Sequence, residues 1–434
     1  GGKSTVYDLL NEVRLGHLTQ SQADAQINAL RGKNNYGQIR KYLLQNAAVF
    51  QQNLAVNAST ERSQTIISLL YEDFDKVYKL NEDKKYSVNF RNRTKLFKWL
   101  ALSVNGTYSQ TNSNNSGYGL PELSPYEMLV DENGDYIRYS GGVSLNYLKR
   151  HVPLENFPYQ DWSFNPIEEM YARELTSSKT IARIQGGLTF KIIKGLTFDT
   201  KAQYEIIKGS THNYYSEDTY FVRNAVNSAA SWNQSTGAVT INLPKGGFLD
   251  QSNDQRNILT LRAQLNFNRT FAGKHTVAAV AGVETIDDVY QTFGHPRTYG
   301  YDEISLSVGT FPNGAGGTGV YQLKNWQGSN QTFAYVNSFS YTTDRFFSAF
   351  ANASYTYDGK YTLSASARTD ASNLITDDPS YRYAPFWSVG ASWQLGKEEF
   401  IKGQSVFNVL TLRATYGYNG NVDKSTTFKP LLNP

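Results

Sequence analysis

Three features of this sequence have residue types and spacings that could do chemistry. Gly314-Ala-Gly-Gly-Thr-Gly319 satisfies the G-x-G-x-x-G spacing that lets a backbone wrap a phosphate. A phosphate cradle also needs a strand before it and a helix N-terminus after it, and here Asn313 precedes and Val320-Tyr-Gln-Leu follows. That stretch reads as a loop tip. Asp131, Asn133 and Asp135 match the first three ligands of a calcium loop, yet Tyr136 stands where the loop needs Gly and Gly142 where it needs Glu. An Asn133-Gly134 hairpin turn accounts for the same residues. The five histidines, His17, His151, His212, His275 and His295, show no i, i+4 pair and no zinc spacing. There is no Cys, which removes disulfides, thiol nucleophiles and Cys-based metal sites. No Ser or acid motif surrounds the histidines, so hydrolysis has no support. The sequence is read as no enzyme, with no cofactor and no metal centre.

The residues best suited to touching a solute are aromatics in long loops: Tyr118, Tyr136, Tyr139, Trp162 and Phe164 in one, Tyr214, Tyr215 and Trp232 in the next, and Trp326 in a third. Flat rings beside polar groups stack on sugars or hold peptide side chains while their bodies exclude water. The same rings serve equally to pack the loops together or to meet a partner.

The elements that must position these loops follow from periodicity. Leu259, Leu261, Ala263, Leu265 and Phe267 alternate with Thr260, Arg262, Gln264, Asn266 and Asn268, the period of two that sends successive side chains to opposite faces of a strand. Leu196 to Ile206 and Leu100 to Ser109 repeat the pattern, and further strands are expected at Ile181 to Ile192, Thr276 to Asp287, Phe346 to Tyr357, Tyr361 to Asp370, Phe386 to Leu395 and Val409 to Tyr418. Their length matches the roughly 9–11 residues of a tilted strand crossing a bilayer and exceeds the usual soluble strand of about 5–6. One face is oily and the other could line water.

The connections alternate as well. Lys95 to Lys98, Lys191 to Gly195, Phe271 to His275 and Tyr357 to Lys360 read as tight turns, whereas the links after Tyr108, Ile207, Asp287 and Asp370 are long, three of them running to roughly 50 or more residues, far beyond hairpin loops. Short turns on one side and long loops on the other are the habit of outer-membrane barrels. About twelve spanning strands result, provided that Thr332 to Thr342 is a strand inside an extracellular loop. Tyr355, Tyr357 and Tyr361 about one turn, with Trp387 and Trp393 bracketing a strand, suit interfacial girdles. A soluble propeller or sandwich also alternates, but its strands are shorter and no fixed repeat near 40 residues is visible.

Composition sets the frame. The 434 residues hold 42 Lys plus Arg against 38 Asp plus Glu, a net charge of +4, with no strongly one-signed block, so nucleic acid is a poor partner. Aromatics make up 14% and charged residues 18%, too much apolar bulk for a disordered chain. No run of 18 apolar residues exists, which excludes a spanning helix but not a spanning barrel. The start lacks a signal-peptide pattern and reads as an internal piece. Residues 1–50 differ from the rest: Thr19 caps a helix to Leu30, and Gln38 to Phe50 suggests a second. The expected division is a short helical segment at 1–50 and a partial barrel at 51–434.

At this point the residues resemble a known family. Tyr355-Thr-Tyr-Asp-Gly-Lys-Tyr-Thr-Leu-Ser-Ala-Ser-Ala-Arg-Thr-Asp-Ala-Ser-Asn373, Pro385-Phe-Trp-Ser-Val-Gly-Ala-Ser-Trp393, Lys397-Glu-Glu-Phe400 and Leu410-Thr-Leu-Arg-Ala-Thr-Tyr-Gly-Tyr-Asn-Gly-Asn421 are similar to the barrel signature of SusC/RagA-type TonB-dependent transporters. Arg40-Lys-Tyr-Leu-Leu44, Gln52-Asn-Leu-Ala-Val56 and Asn165-Pro166 are weaker matches, and Ala58-Ser-Thr-Glu-Arg62 departs from the family's Gly-rich turn. The resemblance implies an all-β, transmembrane antiparallel β-barrel: a portion of a 22-stranded, plugged barrel in the bacterial outer membrane. It also implies import of oligosaccharides or peptides with a SusD-like surface lipoprotein and the TonB complex. Plug, TonB box and the remaining strands are expected to lie outside this chain. A passive porin and a soluble glycan-binding protein are the competing readings, separated by an N-terminal plug in the parent protein and by detergent-dependent solubility.

Overall fold

The computed structural model describes residues 4–119, 123–311, 320–334, 338–373, 383, 385–401, 407 and 409–420. Twelve long strands follow one another in a single antiparallel meander: β1 (Ala48–Ser59), β2 (Ser63–Asp75), β3 (Glu82–Lys95), β4 (Leu100–Asn115), β5 (Arg173–Ile193), β6 (Leu196–Tyr215), β7 (Gly247–Phe271), β8 (His275–Gly294), β9 (Ser338–Tyr357), β10 (Tyr361–Ser372), β11 (Pro385–Trp393) and β12 (Leu412–Tyr418). The short strand Thr298–Tyr301 adds to the start of β7. Every long strand pairs with its neighbour in sequence, as up-and-down barrels require. Among the described residues β1 and β12 do not pair with each other, so this stretch of wall has two edges.

The two faces are chemically opposite. Register places Leu261 beside Ala202 and Thr285, and Leu265 beside Phe198 and Ala281, all on one face. Leu54, Leu69, Val88, Ile184, Leu261, Leu265, Val283, Leu363 and Val389 are exposed on that face. Leu265 keeps 43% of its surface open, which suits a wall facing hydrocarbon and not a packed water-soluble core. Among the described residues no helix is long and apolar enough to cross a membrane. A row of aromatics lines the tight-turn end. Phe97 stacks on Trp99 at 5.6 Å, Trp99 on Phe190 at 6.1 Å, Tyr357 on Tyr361 at 6.5 Å and Tyr361 on Trp393 at 6.0 Å. This is an interfacial girdle at the expected place.

The tight turns lie where the sequence predicts them. At the β5–β6 turn Gly195 has φ +89°, and a Cβ there would sit 2.7 Å from the Asn268 carbonyl oxygen of the neighbouring strand β7, so the position tolerates only Gly. The β1–β2 turn, which lacks the family's glycines, closes instead through the Thr60 hydroxyl, which accepts the backbone N–H of Ser63 at 2.9 Å.

The far ends of the strands correct the sequence reading. β5, β6, β7, β8 and β9 run to 20 residues or more, several beyond the expected limits. Beyond the bilayer the outward positions turn polar, as at Asn253, Gln255 and Asn257, so the alternation stops while the backbone ladder continues. The loops are correspondingly shorter than expected after β6 and β8. Thr332 to Thr342 is not one loop strand: Asn330–Ala334 pairs with Val320–Lys324 in a loop hairpin, and residues 338–342 already belong to β9. Near the N-terminus the structure has three helices, α1 (Thr5–Arg14), α2 (Gln20–Leu30) and α3 (Tyr36–Tyr42). Thr19 and Gln22 form the capping box of α2. The helix expected at Gln38 to Phe50 ends at Tyr42, and Ala48 already opens β1. Gly314 to Gly319 and Asn421 lie outside the described residues.

Candidate functional site

The face opposite the aliphatic one is a polar wall built by register. Arg183 on β5 clasps Glu205 on β6 with two contacts, at 2.7 and 3.1 Å. Asn105, Gln185 and Gln203 hydrogen-bond in a chain across β4, β5 and β6 at 2.9 and 3.2 Å. Arg262 reaches Glu284 at 3.2 Å, and Arg368 with Ser348 holds Asp370. Arg and carboxylate paired across strands keep charge fixed on the wall without leaving it uncompensated. Such a surface can guide hydrated or zwitterionic solutes.

At the end away from the tight turns the loops fuse into one layer. Residues 116–172 carry α4 (Leu145–His151) and α5 (Pro166–Tyr171), and residues 216–246 carry α6 (Tyr220–Ala229). Leu148, Val152, Phe157, Trp162, Ala230 and Trp326 bury one core drawn from three loops. Val222, Val226, Leu243, Phe248 and Tyr299 make a second. The N-terminal helices join this layer. Thr5 donates its backbone N–H and hydroxyl to Glu127 at 2.8 and 2.9 Å, and Gln38 accepts the N–H groups of Leu129 and Val130. Glu12, buried, pairs with Arg150 and lies 3.2 Å from His17. Residues 5–42 therefore lie on the long-loop side of the wall, and β1 starts from that side.

The nine loop aromatics fall into four settings. Trp162 and Trp326 sit edge to face at 5.7 Å inside the first core, 4% and 6% exposed, and Trp232 packs against them half-buried. Tyr118 meets Phe164 at 6.5 Å, Phe164 meets Tyr220 at 5.9 Å, and the Tyr139 hydroxyl donates to the Met128 carbonyl at 2.6 Å. Burial pushes the Tyr118, Tyr139 and Tyr220 hydroxyls well above the usual tyrosine range, so they stay protonated. Tyr215 accepts from Arg173 and Asn213 and lies under the Arg173 guanidinium at 4.3 Å. Tyr136 and Tyr214 reach an open cleft of about 950 Å³.

That cleft is lined mainly by charge that sequence reasoning did not single out. Arg138 pairs with Glu168 at 2.6 Å and lies 3.8 Å from Asp161, while Arg223 reaches the same Asp161 carboxylate at 3.4 Å. Arg173, Glu174, Asp218 and Glu303 complete its charged lining. Arg138 and Glu168 are thirty positions apart on an α-helix and a loop, so no local motif announces them. Behind the rim, burial raises the Glu169 carboxyl above its ordinary value, opposed by the backbone N–H of Tyr220. Asp131 caps its own turn, its Oδ1 accepting from the N–H groups of Asn133 at 2.8 Å and Asp135 at 2.9 Å. That is the geometry of a turn-capping carboxylate.

No family model matches the chain. Among curated proteins it is similar to TonB-dependent receptor P39 of Formosa agariphila, 23% identical over 376 residues that make up 86% of this chain and 30% of the relative. TonB-dependent receptor P26 of the same organism is 40% identical over 74 residues, 17% of this chain and 7% of the relative. Among solved structures it is similar to the RagAB peptide transporter, with a TM-score of 0.64 at 17% identity, covering 89% of this chain and 38% of that one. The chain is SusC/RagA-like. The RagAB peptide importer in its open-open state gives the same TM-score and coverage. The chain spans about a third of the length of these relatives. Its fold is that of a TonB-dependent outer-membrane barrel, and its place is the bacterial outer membrane. The relatives it matches are receptors and transporters.

Proposed function

We propose that this SusC/RagA-like chain is the wall and surface layer of a nutrient importer that takes up oligopeptides or oligosaccharides with a SusD-like lipoprotein, powered by the TonB complex acting on a region outside this chain. Residues 1–50 then lead through the surface layer into the barrel stretch at 51–434. The single observation that carries the reading is the two-faced wall: paired Arg and Glu on one side at Arg183–Glu205 and Arg262–Glu284, bare aliphatics on the other. The loop layer supplies a charged cleft at the mouth. Both signs of charge at Arg138, Arg173, Arg223, Asp161, Glu168 and Asp218 match the amino and carboxylate groups of peptides better than neutral sugars. Of the nine aromatics, Tyr136 and Tyr214 are the ones placed to touch such a solute, and the remainder hold the layer in shape.

The test is uptake by intact cells whose only copy of the parent gene is wild type or deleted, using labelled oligopeptides and oligosaccharides with and without a protonophore. Energy-dependent peptide uptake lost on deletion is expected. Uptake that survives collapse of the proton gradient would instead indicate a passive pore. Energy-dependent uptake of sugars alone would overturn the peptide preference.

A further inference from the structure

The cleft in the loop layer holds charge that its own walls do not cancel. Among the described residues its lining carries three arginines and five carboxylates, a net charge of −2. Every arginine in it is engaged. Arg138 is held by Glu168 and Asp161. Arg223 reaches Asp161 at 3.4 Å and donates to the Asp161 and Ser163 carbonyls at 3.2 and 2.8 Å. Arg173 donates to Asn213 and to the Tyr215 hydroxyl at 3.3 and 2.9 Å and covers the Tyr215 ring. The remaining carboxylates have no such counterpart. Glu174 and Glu303 are exposed, with no hydrogen-bonding or cationic partner for their side chains among the described residues, and the exposed Asp218 carboxylate meets only the Ser216 hydroxyl there, at 3.3 Å.

Separate segments bring these free carboxylates to one place. Glu174 is the second residue of β5 and the register partner of Tyr214 on β6. Glu303 follows the short strand Thr298–Tyr301, and Asp218 lies just before α6. Glu303, Asp302 and Glu217 each add negative potential at the Tyr214 hydroxyl. Tyr171, the last residue of α5, and Tyr136 line the same space with 57% and 44% of their surface open. Ring faces beside unpaired carboxylates attract an organic cation through the ring quadrupole and the charge together. A metal ion needs several ligand atoms converging on one point. Among the described residues three such atoms come within 4.8 Å of one another only at Asp73, Asp75 and Glu82, none of which lines this cleft.

An amide completes the set. Asn114, near the end of β4, is exposed on the cleft wall, where its side chain can both donate to and accept from a peptide unit. The volume of about 950 Å³ is that of a full small-ligand site. We propose that this cleft selects peptides by their basic side chains, seating a lysine ammonium or arginine guanidinium among Glu174, Glu303 and Asp218 against the rings of Tyr171 and Tyr214. That a peptide bears the charge rests on the import reading, whereas the preference for cations over anions rests on the cleft alone. A polyamine carries the same charge but offers Asn114 no peptide unit, and an acidic peptide meets net repulsion.

The test is calorimetric titration of the intact parent protein in neutral detergent with three probes: a short N-acetylated, C-amidated peptide whose only charges are lysines, the same peptide with glutamates in their place, and spermidine. The lysine peptide should bind ~10-fold or more tightly than either alternative, and its advantage over the glutamate peptide should shrink between ~50 and ~500 mM salt. Glu174→Gln with Glu303→Gln should weaken the lysine peptide ~3- to 10-fold and Tyr171→Leu ~2- to 5-fold. Glu61→Gln, which removes the same charge in the β1–β2 turn, should leave its affinity unchanged. Equal affinity for the two peptides, equal affinity for spermidine, or a carboxylate double variant that binds the lysine peptide as wild type does would each overturn the proposal and leave peptide import standing. Binding of neither peptide would overturn it together with the peptide preference of the import reading. Unfolding midpoints equal to wild type check that the variants are assembled.

Discussion

Leu265→Arg puts the two-faced wall to its most direct test. Leu265 lies on β7 six residues from Phe271 at the tight-turn end and keeps 43% of its surface open on the aliphatic face. Six residues at ~3.4 Å and ~40° tilt give ~15 Å of height, near the middle of an apolar band ~25 Å tall. Arginine at the midplane of a barrel's lipid face costs about 2–4 kcal/mol. At about 1.4 kcal/mol per factor of ten, the ratio of folded to unfolded protein should fall roughly 30- to 700-fold. Asn253→Arg is the matched control. It lies on the same face of the same strand, twelve residues nearer the cell surface, where the cost drops to about 0–1 kcal/mol. The assay is guanidinium unfolding of the intact parent protein in phospholipid vesicles, followed by tryptophan fluorescence. A Leu265→Arg midpoint equal to that of Asn253→Arg would refute the reasoning, because the aliphatic stripe would then not be facing hydrocarbon.

Three further outcomes are expected. Glu398 accepts from Tyr361, Trp393 and Lys360, which hold its carboxyl down at about 2; because the folded value is depressed, its contribution is complete above the ordinary carboxylate value and is lost as pH falls from about 4.5 toward 2, so Trp393 fluorescence should change in that window and Glu398→Gln should abolish the change. Glu12→Ala removes the carboxylate that holds Arg150 and should loosen the N-terminal helices by about 1–3 kcal/mol, seen as faster proteolysis near α1 with the strands unaffected. The 434-residue chain on its own, whose β1 and β12 are edge strands among the described residues, should aggregate rather than refold reversibly in micelles, since lipid does not tolerate open ladders; reversible refolding would contradict this.

The wall was legible because lipid imposes a rule at every second residue. Leu259, Leu261 and Leu265 alternate with Thr260, Arg262 and Gln264, and no other solvent asks for that over such lengths. The rule lapses above the bilayer: Asn253, Gln255 and Asn257 face the same way as Leu259 but meet water and headgroups, so the outer ends of β5 to β9 left no pattern to read. The Thr19 cap marked α2, whereas α3 stops early because the strand ladder claims Ala48 to Phe50. The loop layer was the least legible part. Its contacts join positions as distant as Trp162 with Trp326 and Thr5 with Glu127, and a single sequence records which residues are aromatic or charged without recording which loop they fold onto. Tyr136 and Trp162 looked alike for that reason, although one borders an open cleft and the other is sealed inside a core.

The docking of α1 to α3 onto the loop layer decides what the organism displays. The helices near Gly32 stand beyond the long-loop end of the wall, tied to the loop layer and not to the ladder. Sequence there answers to water and to the loops it packs on, while the strands beneath answer to lipid, so the two are held by different physical constraints.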